Sequence, residues 1–258
     1  MSSIIEQLLE AVPLPKMIKV RQIFSTARLE KIEAELRDQL SQKQLLSRIS
    51  PGQTVAITAG SRGISDIVRI LRELVAWVKE VGGIPFIVPA MGSHGGATAE
   101  GQLEMLKALG ITEQSVGAPI KSSMEVVQVG VAVNGLPAYI DRYAAEADAI
   151  IVVNKIKPHV AFRGKIESGL MKMITIGLGK QKGAAICHGL GPKKMAENIT
   201  AIARTVLQNT NIIFAVGIIE NAYDQTQELA VLGAEEIEKE EPALLLKARK
   251  LTPKLFFK

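Results

Sequence analysis

The chain has 258 residues, 47% of them apolar, enough to bury a real core in one large domain or two small ones. Its net charge of +5 comes from basic residues interleaved with acids, and aromatics make up only 4%. That composition argues against nucleic acid, which needs stacking platforms and clustered cations, and suits a small anionic ligand. No apolar run has the length of a membrane span, the first residues lack a signal-peptide pattern, and Cys187 is the only cysteine. An intrachain disulfide and a cysteine metal cage are excluded, and a reducing, cytoplasmic setting is expected.

In chain order, Thr26 to Gln42 reads as a charged amphipathic helix, followed by a Ser50-Pro51-Gly52 turn and a buried strand at Thr54 to Thr58. Apolar residues at Ile64, Ile67, Val68, Leu71, Leu74, Val75 and Val78 give helical spacing, which Gly82-Gly83 ends before a strand at Pro85 to Pro89. This β-loop-α-turn-β unit implies a parallel crossover. A glycine-rich loop at 92–96 leads to a helix from about Thr98 to Leu109. Next come a strand near Val126 to Val133 and an Asn134-Gly135 hairpin of type I′ character. Ala149 to Val153 is a further buried strand, while Lys172 to Gly179 mixes apolar residues with glycine and fits no single period. Lys193 to Leu207 reads as helix and Ile212 to Ile219 as strand. Ala234 to Lys250 reads as helix, with Pro242 opening its second half. The alternation predicts a three-layer α/β domain with a mostly parallel sheet and a small β-hairpin. Ligands of such sheets lie at the carboxyl ends of the strands, here the loops at 59–63, 90–96, 154–172 and 187–192.

The three histidines fall in those loops. His94 lies in Gly92-Ser93-His94-Gly95-Gly96, His159 follows Lys157-Pro158, and His188 precedes Gly189-Leu190-Gly191-Pro192. One such residue reads as a loop-capping histidine; three at strand ends point to proton transfer or metal ligation. No spacing matches a protein-only metal site, and Glu167 is the only carboxylate beside them. Arg62, in Gly60-Ser61-Arg62-Gly63, is either a two-pronged anion clamp or a solvated loop arginine. Lys155, Lys157, Lys165, Lys172, Lys180 and Lys182 form a basic region that reads as a solvated face. Lys172 is the exception, because apolar neighbours weaken its ammonium and make the amine nucleophilic. Gly177-Leu178-Gly179-Lys180 has a phosphate-loop look but not the Walker spacing.

Taken in order, Gly60-Ser61-Arg62-Gly63, Gly92-Ser93-His94-Gly95-Gly96-Ala97-Thr98, Lys157-Pro158-His159, Ser168-Gly169-Leu170-Met171-Lys172 and Cys187-His188-Gly189 resemble the N-terminal domain of the nickel-dependent lactate racemase family. The resemblance runs from about Pro51 to Leu207. It implies an isomerase that racemises or epimerises a small 2-hydroxy acid by reversible hydride abstraction onto a nickel pincer nucleotide, a pyridinium mononucleotide with two thio groups. By the same resemblance Lys172 holds the cofactor covalently, His188 is the protein ligand to nickel, His94 and His159 are alternating acid/base groups, and Arg62 orients the substrate carboxylate. It further implies that residues 1–258 are the N-terminal domain of a larger enzyme and contact a C-terminal domain.

The family's loop near the arginine carries an acid and Thr-Arg-Pro, whereas Ala59, Ser61 and Gly63 surround Arg62 here, so the substrate contacts differ. The segment between His159 and Lys172 is also longer. Two alternatives remain open from the residues alone: a nickel-independent enzyme for a phosphate-bearing nucleotide on the same fold, and a non-catalytic binding domain.

Overall fold

The computed structural model describes residues 3–10, 12, 13 and 16–256; Phe257 and Lys258, part of the C-terminal tail, lie outside them. The first half contains α1 (Ile4–Leu9), α2 (Ile32–Gln42), β1 (Thr54–Ala59), α3 (Ile67–Glu80), β2 (Ile84–Pro89), α4 (Ala99–Ala108), α5 (Glu113–Val116) and β3 (Val126–Val131). It continues with β4 (Pro137–Asp141), α6 (Arg142–Glu146), β5 (Ala149–Lys155), α7 (Leu170–Lys172), a π-helical turn (Met173–Gly177) and α8 (Lys180–His188). The last elements are α9 (Met195–Asn209), β6 (Ile212–Glu220), β7 (Thr226–Gly233) and α10 (Ile237–Leu251).

One sheet has the order β2-β1-β5-β6-β7, with the first four strands parallel and β7 antiparallel to β6. β3 and β4 form a separate antiparallel pair. Strand alternation divides the core in two. Val55, Ile57, Ile87, Ile151 and Val153 pack with residues of α2 and α3 on one face. Ala56, Phe86, Val88, Ile150 and Val152 pack with residues of α9, the hairpin and the segment 170–187 on the other. The fold is therefore the expected α/β arrangement of three layers. β6 is buried at all nine positions, as a strand covered on both faces must be. α3 buries Ile67, Ile70, Leu71, Leu74, Val75 and Val78, each contributing about 1.5–3 kcal/mol of apolar burial. It stops where Gly82 takes φ +81 and donates its N–H to Lys79 O.

Five details differ from the sequence pattern. α2 begins at Ile32 rather than Thr26, because the backbone before it serves the β6–β7 connection: Leu29 N–H bonds Thr226 O and Asn221 Nδ2 bonds Ala27 O. The β3–β4 reversal is not type I′. Only Gly135 has positive φ (+80), and its N–H closes a turn on Ala132 O. Pro242 opens nothing, since α10 passes through it and forgoes only the bond to the Glu238 carbonyl. The region around 180–188 is helix α8, so His188 ends a helix rather than standing in a loop. β7, with Gln227 and Glu228 among its residues, has no sequence counterpart above.

α10 carries a buried carboxylate against α7. Glu241 accepts the Met171 N–H (2.8 Å) through Oε2, while Oε1 has no partner. Burial pushes its pKa up to about 7, above the ordinary 4.5. A raised carboxyl pKa means the folded state holds the proton longer than the unfolded state. Its stabilising contribution is thus complete below the unfolded value and is lost as pH rises through the folded one. In urea unfolding, the wild type should lose about 3 kcal/mol relative to Glu241→Gln between about pH 4.5 and about pH 7.5. Parallel pH profiles for the two proteins would refute this.

Candidate active site

The chain leaves β1 toward β2 on one side and leaves β5 toward β6 on the other, so their loops part at the carboxyl edge of the sheet. A cavity of about 440 Å³ lies there, within the usual range for small-molecule sites. Its walls carry Arg62 from the loop after β1, His94 from the loop after β2, His159 from the segment after β5, Lys172 from the end of α7, and His188 from the end of α8. All five residues singled out in the sequence therefore face one cleft. Lys157 and Asn154 line it too, and among the described residues no Asp or Glu does.

The His94 loop needs Gly95 at φ +67, where a Cβ would come within 2.6 Å of the Gly101 backbone. Ser61 Oγ sits 2.5 Å from His94 Nδ1. A hydroxyl both donates and accepts, so either neutral tautomer of His94 is satisfied. Partial burial lowers the His94 pKa, and the positive charges of Arg62 and Lys172 lower it further.

His159 is bound differently. Its backbone N–H and that of Gly164 donate to the buried carboxylate of Glu167 (2.7 and 3.1 Å), which Arg249 of α10 pairs at 2.5 Å. These partners outweigh burial and hold Glu167 below the ordinary carboxylate value. The Ala161 N–H donates to His159 Nδ1 (3.1 Å), so the neutral ring carries its proton on Nε2. Burial, then the Lys172 charge, lower the His159 pKa. The two imidazoles are thus both biased toward the neutral form but are not equivalent.

Lys172 is half-buried, and burial lowers its pKa, followed by repulsion from Arg62 and Lys157. The π-helical turn follows it directly, with Leu178 N–H reaching Met173 O. The neighbouring Cys187 thiol is buried and pushed up to about 11, so it stays protonated at neutral pH. Among the described residues no group of three or more His, Cys, Asp or Glu comes together as a metal site.

The solvated-face reading of the basic region fails at three places. Lys180 is fully buried. Lys155 pairs with Glu220 and Asp224. Lys157 turns into the cleft, its ammonium weakened by burial and by the charges of Lys155 and Arg62. The only sequence sign of Lys157 was its place two residues before His159.

Residues 9–199 match the family model described as "Lactate racemase N-terminal domain". The chain belongs to this family. A similar fold is seen in the lactate racemase apoprotein from Thermoanaerobacterium thermosaccharolyticum, with a TM-score of 0.61 over 82% of this chain and 54% of that one. The two are 16% identical, so the likeness is one of fold, and this chain spans about half the length of that relative. A search of curated protein sequences finds no match. No helix among the described residues is long and apolar enough to cross a membrane.

The charges lining the cleft make a direct prediction. Replacing Arg62 with Met removes one of the two cations whose charge disfavours the protonated His94 ring, so the His94 imidazole pKa should move up toward its ordinary value. NMR titration of the histidine rings reads this, and an unmoved His94 would show that Arg62 does not act on it.

Proposed function

We propose that this chain is a 2-hydroxy-acid racemase or epimerase domain that works with a nickel pincer nucleotide. The observation that carries this function is the convergence of His94, His159 and His188 with the half-buried Lys172 amine and Arg62 on one cleft that, among the described residues, no carboxylate lines.

The residues present fit such a cofactor. The cavity is of mononucleotide scale, and Arg62 and Lys157 offer cations to a phosphate or carboxylate. The depressed pKa of Lys172 raises its share of free amine, the form able to make a covalent bond. With no protein-only metal cluster among the described residues, His188 suits a metal whose other donors come from the nucleotide. When bound, that group supplies the acceptor for hydride from the substrate α-carbon.

This chain's own residues do the rest. Arg62 holds the substrate carboxylate. His94 Nε2 takes the substrate hydroxyl proton when Ser61 Oγ accepts the Nδ1–H, and gives it back when the hydroxyl re-forms. His159 begins as an Nε2–H donor to that oxygen, because Ala161 occupies Nδ1. It serves as base for the opposite enantiomer once Nδ1 releases the Ala161 N–H and carries the proton itself. The buried single thiol accords with a reducing, cytoplasmic setting. A second domain would close over the open side of the cleft near His94 and His188, both exposed.

Made together with the cofactor-producing enzymes, the chain should show added mass on Lys172 and stoichiometric nickel. His188→Ala should lose nickel and keep the added mass. His94→Ala should keep both and lower kcat by about 10²–10⁴. An unmodified Lys172 without nickel would contradict the proposal, and nucleotide binding that survives both metal removal and His188→Ala would favour a nickel-independent enzyme.

A further inference from the structure

Lys180 is fully buried in a backbone conformation with φ +53, one of only four non-glycine residues at positive φ among those described. Such a conformation costs free energy for a residue with a Cβ, and so does burying an ammonium. Something must hold it there. Its Nζ donates to Pro89 O, at the end of β2, and to Gln102 Oε1 (2.9 Å), and it lies 3.1 Å from Asp141 Oδ2 at the end of β4. Asp141 in turn accepts the Ala144 N–H at the start of α6.

The ammonium fixes the orientation of the Gln102 side chain. With Oε1 facing the lysine, Nε2 must point the other way, and it donates to Gly92 O (2.9 Å) and His94 O (3.3 Å). Gln102 is itself fully buried on α4. A buried amide that faced the other way would set its NH2 against the ammonium and its oxygen against two carbonyls. We propose that Lys180 and Gln102 are positioning residues that fix the His94 loop, the lysine locking the amide and the amide gripping the backbone on either side of Ser93. The Gly-Leu-Gly-Lys stretch thus serves as a structural anchor for the imidazole rather than a phosphate loop. Its catalytic meaning rests on the role proposed above for His94.

The anchor can be tested on the chain without cofactor, so the outcome does not depend on turnover. Gln102→Met removes the amide while keeping its length and burial. It should raise amide hydrogen exchange at Gly92 and His94 by about tenfold and shift the His94 ring resonances, leaving those of His159 in place. Lys180→Met should reproduce this pattern, and Lys180→Arg should restore it in part. Should Lys180→Met fail to fold, Gln102→Met carries the test alone. Unchanged exchange at Gly92 and His94 in folded Gln102→Met would overturn the proposal, as would equal disturbance of His94 and His159. If the anchor is confirmed but His94→Ala leaves turnover intact, the function proposed for the cleft fails and the anchor stands.

Discussion

The cleft is a place where cations and imidazoles face one another without a carboxylate among them, and four acids buried behind it make that possible. Asp141, Glu167, Glu220 and Glu241 are the buried carboxylates among the described residues. Glu167 holds the backbone of His159, and Glu241 holds Met171 beside Lys172. Glu220 accepts the Ser65 N–H, tying down the loop that carries Arg62. Asp141 acts at one remove, through Lys180 and Gln102, on the loop of His94. A buried charge left alone costs several kcal/mol, so Glu167 and Glu220 take donors from the segments that form the cleft, whereas Glu241, with one oxygen unpartnered, holds its proton up to about pH 7.

This arrangement separates two jobs that compete in a small site. Acids placed inside the cleft would stabilise Arg62, Lys157 and Lys172 as cations, raise the imidazole pKa values and cancel the positive field. Set one layer back, they fix geometry while the cleft keeps a positive field and neutral bases. The Ser61 and Ala161 contacts then give His94 and His159 different resting tautomers, so the two sides of the site start from different protonation patterns.

Much of the fold was legible because its strongest signals are local. The period of Ile67 to Val78 and the apolar runs at Ala149 and Ile212 report burial directly. β7 was not legible, since its register comes from β6 and its sequence mixes Gln227 and Glu228 with Leu229 and Val231. The α2 start was obscured because Ala27 and Leu29 spend their hydrogen bonds on residues about 190 positions away. At the site, histidines and Lys172 stood out by type and by their place at strand ends. Lys180 could not be told from its surface neighbours, because only the packing of β2, β4 and α4 around it decides that it is inside. Lys157 was hidden because only the folded cleft shows that it lines the cavity.

The most direct measurement is a crystal structure of the chain produced with the cofactor-making enzymes, with anomalous data at the nickel edge. The proposed function predicts a nickel peak within bonding distance of the His188 imidazole, density joined to Lys172 Nζ, and the rings of His94 and His159 both facing the same bound ligand. Nickel bound elsewhere, or a ligand that fills the cleft without approaching these histidines, would contradict it.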